Sequence, residues 1–473
     1  MSENDDRKRP SLRRHPDFVK LWSGETVSQV GTQVSLLAIP LIAVTVLHAT
    51  TFQVGALSSV EMAPFLLVSL FAGVWVDRMR RRPVLIVTDL GRAAALLTLP
   101  IAHSLGWLSL AQLYVVALVT GTLTVFFDVA YMAYLPSLID RHQLIEGNSK
   151  LQASESGAAI IGPGLAGWLI GVVGAARAVL ADSGSFLVSA AAVLLIRRAE
   201  PQPIAEDPAP GRRRMRAEIG EGLRYVLGHP YLRSVAGCTS TFNLFGAITN
   251  ALFIVFAVRT LHLTAGRIGL VLSLASVGYL VGALIANQAA RRLGVGRAIV
   301  VGAAVAGTGP FLIPLARHGD AVPLLVASYL ITMLGNPIYN INQVSLRQAI
   351  TPDRLQGRMN ATMRFLVWGT MPLGGLIGGA LGTLVGLRPA LWVAAGGQAA
   401  AVAWVVFSPV RKLVEIPVYV EEDPGEPDGG SSPADPADPA DPAGRAGGGV
   451  AGGVAAAGVA GAVAPSTSAD LGV

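Results

Sequence analysis

GVWVDRMRRRPV, residues 73–84, decides how the rest of the chain is read. It sets Arg78, Arg80, Arg81 and Arg82 beside a single acid, Asp77, between two apolar runs at 53–76 and 84–104. A helix needs about 20 mostly apolar residues to cross a hydrocarbon core roughly 30 Å thick, so each run is long enough to span. Working outward gives ten more runs: 21–47, 108–131, 152–173, 177–196, 234–257, 268–289, 297–316, 321–344, 361–384 and 389–408. They are too long and continuous for barrel strands, and only helices or closed barrels satisfy the backbone in lipid. Composition agrees: 52% of the 473 residues are hydrophobic and 14% charged, where soluble domains carry about 25% charge. An ordinary soluble enzyme is excluded. The 54 glycines and 29 prolines recur among the apolar runs rather than forming one polar low-complexity chain, which excludes general disorder and a collagen-like fibre. The fold class is an all-α integral membrane protein of twelve transmembrane helices.

Orientation follows from the basic residues. Of 36 Lys and Arg, 29 fall at the amino terminus, after span 12 or in even-numbered connections, and five in odd-numbered ones. Lys and Arg are retained in the cytoplasm, so both termini are expected there. The start, MSENDDRKRPSLRRHPDFVK, leads into a full-length span without an A-x-A cleavage site, and the first helix is expected to stay. The expected organisation is a basic amino terminus at 1–20, a six-helix bundle at 21–196, a cytoplasmic loop at 197–233, a second bundle at 234–410 and a tail at 411–473. The tail carries a Pro-Ala-Asp repeat and is expected to be disordered. Residues 1–410 hold a formal +13 and residues 411–473 a formal −7. The halves echo each other: Asn148, Gly162 and Gly167 recur 212 residues later as Asn360, Gly374 and Gly379, and Gly73 maps to Gly282 at 209. Six plus six spans with internal repetition point to pseudo-symmetric bundles, a site between them near the midplane, and transport.

In the opening loop, Gly73 permits close helix approach. Asp77 lies where a helix end and several guanidinium groups compete for it, so it can latch two helices in one state and release them in another. The pattern Gly73-x-Trp75-x-Asp77-Arg78-x-x-Arg81-Arg82 resembles the loop signature of the major facilitator superfamily. In span 5, GAAIIGPGLAGWLIG at 157–171 presents Gly162, Gly164 and Gly167 on a small-residue face while Pro163 removes a backbone donor. This resembles the Gly-Pro antiporter signature of facilitator exporters. With LPSLIDRHQLIEGNSKLQ (135–152), SFLVSA (185–190), EGLRYVLGHPYLR (221–233) and TPDRLQGRMNA (351–361), residues 12–410 resemble the subgroup of macrolide and enterobactin exporters. The resemblance implies the major facilitator fold, alternating access and proton-coupled export of an amphipathic small molecule. The driving energy would be the proton-motive force, with no cofactor, in the inner (plasma) membrane. One departure is visible: GALIANQAARRLG at 282–294 has Ala286 where Asp77 maps, so latching by an acid is expected in the first half only.

Acids inside a membrane are costly and are functional candidates by default. Spans of the first half contain Glu25, Glu61, Asp89, Asp128, Glu155 and Asp182, and those of the second half contain none. Glu61, nearest the midplane, is the preferred proton carrier, with Glu25 a further candidate. Asp128 is expected in a charge network with Arg78, Arg81 or Arg92, and Asp89 and Arg92 are spaced to pair along one helix. Arg364 is expected either to hold the Asp77 loop or to snorkel. Polar and aromatic residues inside spans 1, 4, 7 and 10 are Gln29, Gln33, Phe126, Phe127, Asn243, Phe245, Asn250, Asn336, Tyr339 and Asn340. The resemblance places these helices around a central cavity, and such sites are mostly apolar with a few placed polar groups.

Other classes fare poorly. There is no G-x-x-x-x-G-K-[ST] loop, H-E-x-x-H, G-x-S-x-G or metal-spaced His and Cys cluster, so neither an ATP-driven pump, an enzyme nor a metal site is expected. The single cysteine, Cys238, reads as a small apolar residue within a span. The basic loops follow from topology and need no nucleic acid. The expected partners are lipid, protons and the amphipathic substrate, and the expected state is a monomer. The alternatives are a nutrient importer or uniporter and, more remotely, a sensor or scaffold built on the tail.

Overall fold

The structure is a computed structural model describing residues 12, 15–140, 143–198, 200 and 212–416, apart from the side chains of 69, 70, 74, 77, 212–219 and 353. The disorder expected of the tail from 417 onward, and residues 201–211 of the central loop, lie outside the described residues.

Every expected span is helical. Eleven helices among the described residues are long and apolar enough to cross a membrane. Span 2 completes the twelve as two shorter pieces, Thr51–Leu67 and Ser69–Asp77, joined at Val68, whose N–H still bonds to the Pro64 carbonyl. Span 11 is also built in two pieces, Asp353–Trp368 and Thr370–Leu384, joined at Gly369. Polar residues set where helices begin: Thr50 and Gln53 form a reciprocal capping box at span 2, and Ser109 and Thr264 cap spans 4 and 8. Large apolar side chains left exposed, such as Leu194 and Leu284, belong against lipid.

Two expectations about connections change. The central segment carries a helix, Arg212–Gly228. It packs against the start of span 11, where Arg358 Nη1 donates to Glu221 Oε2 at 2.5 Å and the Tyr225 hydroxyl donates to the Ile350 carbonyl. The residues after span 12, read as the beginning of a free tail at 411, instead bond through Leu413 and Val414 to the first turn of span 9.

The halves meet along spans 2 and 11 and along spans 5 and 8. At the end where spans 1 and 7 finish, one apolar core joins both halves, holding Leu41, Val54, Leu99 and Leu113 with Leu252, Phe256, Leu261 and Leu391. Arg259 Nη2 closes this end further by donating to the Ala49 carbonyl at 2.6 Å. At the opposite, arginine-rich end each half has its own core. Leu21, Leu85, Tyr134 and Val193 fill the first, and Leu232, Leu346, Met359 and Val405 the second. The molecule is therefore sealed across one end and divided at the other.

Candidate transport site

Between the spans of the first half lies a cavity of about 280 Å³. Spans 1, 2, 3, 4 and 6 line it with Glu25, Gln29 and Gln33, Glu61 and Phe65, Arg92, Thr124, Phe127 and Asp128, and Asp182 and Phe186. Four carboxyl groups and one guanidinium thus share the lining of one cavity. Arg92 is 4% exposed and pairs with the fully buried Asp89, Nη2 to Oδ1 at 2.5 Å. Its guanidinium carbon lies 4.2 Å from the Phe127 ring centre and 4.1 Å from that of Phe186, a sandwich that holds a desolvated cation by its faces. From there it lies within Coulombic reach of Glu25, Asp128 and Asp182.

The acids differ in their partners. Glu25 accepts from Gln29 Nε2 at 2.8 Å through one oxygen, and its other oxygen is buried without a partner. Asp182 accepts from the Ser185 hydroxyl at 3.1 Å, and Gly31 on span 1 leaves room for that pair. Glu61 has no hydrogen bond or ion pair among the described residues, although span 4 approaches its backbone closely at Gly121.

The second half has a smaller cavity, about 190 Å³, lined by Cys238, Thr239, Phe242, Asn243, Asn336, Tyr339, Asn340 and Trp368. Its lining carries no formal charge. The Tyr339 hydroxyl is held 2.6 Å from Thr239 Oγ1, Asn243 Nδ2 donates to the Val367 carbonyl at 3.3 Å, and Asn340 accepts from Gln343.

Three expected cavity residues lie elsewhere. Phe126 stacks on Trp75 at 6.1 Å, because consecutive residues on a helix point about 100° apart and Phe127 takes the inward direction. Phe245 packs against Gly397 of span 12 and joins the shared core. Asn250 is exposed but lines neither cavity, being two turns nearer the sealed end than Asn243.

The arginine-rich loop also departs from expectation. The Asp77 side chain lies outside the described residues. Gly73 faces open space, and the close approach occurs at its repeat partner Gly282, which abuts Leu334 of span 10. Arg81 and Arg82 do not meet Asp128. Their backbone N–H groups donate to Glu200 at 2.7 and 3.1 Å, so an acid after span 6 caps span 3. Arg82 also donates to the terminal carbonyls of span 6 at Val193 and Leu194. Arg78 is exposed. Asp128 instead lies within Coulombic reach of Arg92 and of Arg364. Arg364 lies over Trp368 beside Phe65 of span 2, a position between the halves that its sequence context did not reveal.

The Gly-Pro segment of span 5 divides by face. Gly162 makes room for Gln33 of span 1, while Gly164 and Gly167 receive span 8, where a side chain at Gly167 would lie 2.5 Å from the Ala265 carbonyl. Pro163 has no N–H to give the Ala159 carbonyl, and Ser276 Oγ of span 8 lies 3.0 Å from that oxygen. Ser273 Oγ donates to Ile160 O at 2.5 Å. Spans 2 and 11 repeat this crossing: Gly55 lies on Gly379, and Ser59 Oγ donates to Pro372 O at 2.7 Å. Gly55 and Ser59 precede Gly269 and Ser273 by 214 residues, and Ile160 and Gly167 precede Pro372 and Gly379 by 212. The signal was present in sequence as LHATTFQVG at 47–55 and LHLTAGRIG at 261–269. Among the described residues, His48 and His262 are the non-glycine residues with positive φ, 50° and 53°, and both end a helix in the same way.

A family model described as transmembrane secretion effector matches residues 11–423. The chain belongs to the major facilitator superfamily. Among curated facilitators, it is 27% identical over 394 residues to the multidrug efflux pump Tap of Mycolicibacterium fortuitum, spanning 80% of this chain and 92% of Tap. It is 24% identical over 352 residues to the enterobactin exporter EntS of Citrobacter koseri, across 74% of this chain and 81% of EntS. Among solved facilitator folds, a bacterial homologue of the iron transporter ferroportin in its inward-facing state superposes with a TM-score of 0.65 at 16% identity, covering 84% of this chain and 99% of that one. The nucleoside transporter NupG gives 0.67 at 11% identity, with 83% and 98% covered. The protein is thus a multi-pass membrane transporter and not an enzyme.

Proposed function

We propose that this facilitator exports an amphipathic small molecule in exchange for protons, by alternating access between bundles 21–196 and 234–410. The observation that carries the reading is the one-sided core: both halves share a single apolar core at one end and have separate cores at the other. A cavity with four carboxyls lies inside the first of those halves. With the arginine-rich end cytoplasmic, in the inner (plasma) membrane, the described state opens inward and is ready to load substrate. Glu61, unpaired, is the proton carrier, and Glu25 shares the load. Arg92 adjusts its hold on Asp89, Glu25, Asp128 and Asp182 as protons arrive, and Arg364 reports that charge to the second half. The similarity to Tap and EntS, both named for outward transport, supports the direction. The lining favours a cationic or neutral substrate over an anion, because the only guanidinium in the first cavity is already paired. The amide-rich second cavity supplies hydrogen bonds to its polar groups.

Everted membrane vesicles test this directly. An outward-pumped compound enters them when a pH gradient is imposed, a protonophore abolishes entry, and Glu61→Gln loses the dependence on the gradient. Accumulation in intact cells on expression would mean import and would overturn the proposed direction. An unchanged proton flux in Glu61→Gln would remove that residue from the coupling.

A further inference from the structure

At the arginine-rich end of the second half lies a cleft that shares no lining residue with either cavity. Span 8 ends at Arg291-Arg292-Leu293, Gly294 turns the chain with φ of 82°, and span 9 begins at Val295. Segment 410–416 crosses this corner as a strap. Val295 N donates to Val414 O at 3.1 Å and Gly296 N to Leu413 O at 2.9 Å. A side chain at Gly296 would strike the Val410 carbonyl, so the glycine is what lets the strap pass. Leu413 and Ile416 anchor it against the core of the second half.

The strap brings Arg411 and Lys412 beside Arg291, Arg292 and Arg297 around an open cleft of about 700 Å³. All five are exposed, none has an ion pair among the described residues, and Glu415 is the single carboxylate in the lining. Topological bias accounts for basic residues at this end. It does not account for their convergence, from two span ends and a strap, on a walled space. Five cations against one acid call for an anion with several oxygens, and guanidinium forks match the geometry of phosphate. The apolar surroundings narrow this further. Asn287, Arg291 and Arg292 also line an adjoining recess of about 490 Å³ that reaches Leu284, a residue 73% exposed on the lipid side of span 8. A soluble anion would use the cations alone, whereas a phospholipid uses the cations and the apolar wall together.

We propose that this cleft binds an anionic phospholipid, with its phosphate among Arg291, Arg292, Arg297, Arg411 and Lys412 and an acyl chain along Leu284. The lipid fastens the ends of spans 8 and 9 to the segment after span 12.

The test is native mass spectrometry of the purified full chain after exchange into phosphatidylglycerol or phosphatidylcholine. Phosphatidylglycerol is expected to stay bound through delipidating detergent and phosphatidylcholine to be lost. R411Q/K412Q should lower retention roughly ten-fold or more. R292Q, on a different element, should lower it in the same direction, so that a misplaced strap is not mistaken for a lost ligand. R224Q/R233Q removes two exposed cations of the central segment, outside the cleft, and should retain lipid as the unaltered chain does. Equal retention of both lipids, or equal loss in the cleft and control variants, would overturn the proposal. Displacement of the lipid by millimolar inorganic phosphate would reassign the cleft to a soluble anion.

Discussion

The cavity of the first half and that of the second occupy a repeated framework, yet one is lined by four carboxyls around a caged arginine and the other by amides, hydroxyls and rings with no charge at all. The framework itself is closely duplicated: the two crossings between the halves use glycines and serines that repeat at 212 and 214 residues. Shared geometry is what a rocking motion needs, because both seams must open and close together. Divergent chemistry is what the proposed exchange needs, because a proton and a substrate would require different surroundings. The duplicated parts are thus assigned to movement, and the unmatched parts to what is moved.

The strongest way to break this division is at Arg92. Arg92→Gln leaves Asp89 buried without its partner and is expected to cost about 3–5 kcal/mol. The loss would be read as a large fall in thermal stability and in folded yield. Removing one amide from the second cavity, as in Asn243→Ala, which loses its bond to the Val367 carbonyl, is expected to cost about 1 kcal/mol; equal losses would mean that the charged cavity is not special. Next in size is a flux effect. Glu61→Gln is expected to lose most gradient-driven transport while keeping substrate exchange across membranes at equal pH. Asn340→Ala should change apparent substrate affinity several-fold and leave the response to pH intact, and a shift of that response would erase the boundary between the cavities. The crossings sharpen the symmetric side of the comparison. Gly167→Val and Gly379→Val should slow transport by similar factors, and a silent variant at either position would show that one seam carries the motion alone. The smallest expected effect belongs to the serines. Ser59→Ala and Ser273→Ala should each cost about 0.6 kcal/mol, and the double variant should show their sum, since the seams share no partner.

The twelve spans were legible because apolar length is a local property, and even the break at Val68 lies inside a run whose hydropathy continues across it. The acids were legible as acids, since a carboxyl inside a span stands out whatever surrounds it. Their relations were not. Sequence spacing paired Asp89 with Arg92 correctly, but the phenyl rings that cage Arg92 come from spans 4 and 6, and no local pattern reports which way a distant ring turns. The same limit left Asp128 open among Arg78, Arg81 and Arg92, of which the structure sets Arg92 within its reach, while Glu200 accepts from the backbone of Arg81 and Arg82. Phe126 and Phe245 were misplaced for a related reason: a polarity pattern that is apolar on every side hides helical phase, so a core residue and a cavity residue read alike. The repeat at 47–55 and 261–269 was available in the sequence, but its offset differs by two from that of the span 5 glycines, which obscured a single period.

The serine hydroxyls at the seams have a property that the distances alone make plain. Ser59 Oγ lies 2.7 Å from Pro372 O across the seam and 2.9 Å from Gly55 O on its own helix, and Ser276 Oγ lies 3.0 Å from Ala159 O and 2.9 Å from Leu272 O. Each has one hydrogen and two acceptors within reach. When the helices part, the hydrogen swings home and no donor is stranded in the membrane. When they meet, it swings back, so a bond is formed or surrendered by rotation of a single hydroxyl. The Ala159 carbonyl, already released by Pro163, loses only a visitor that water can replace once that end opens. In the proposed alternating cycle, a seam built this way would stay nearly level in energy whichever face of the membrane it admits, leaving the direction of travel to the charges inside.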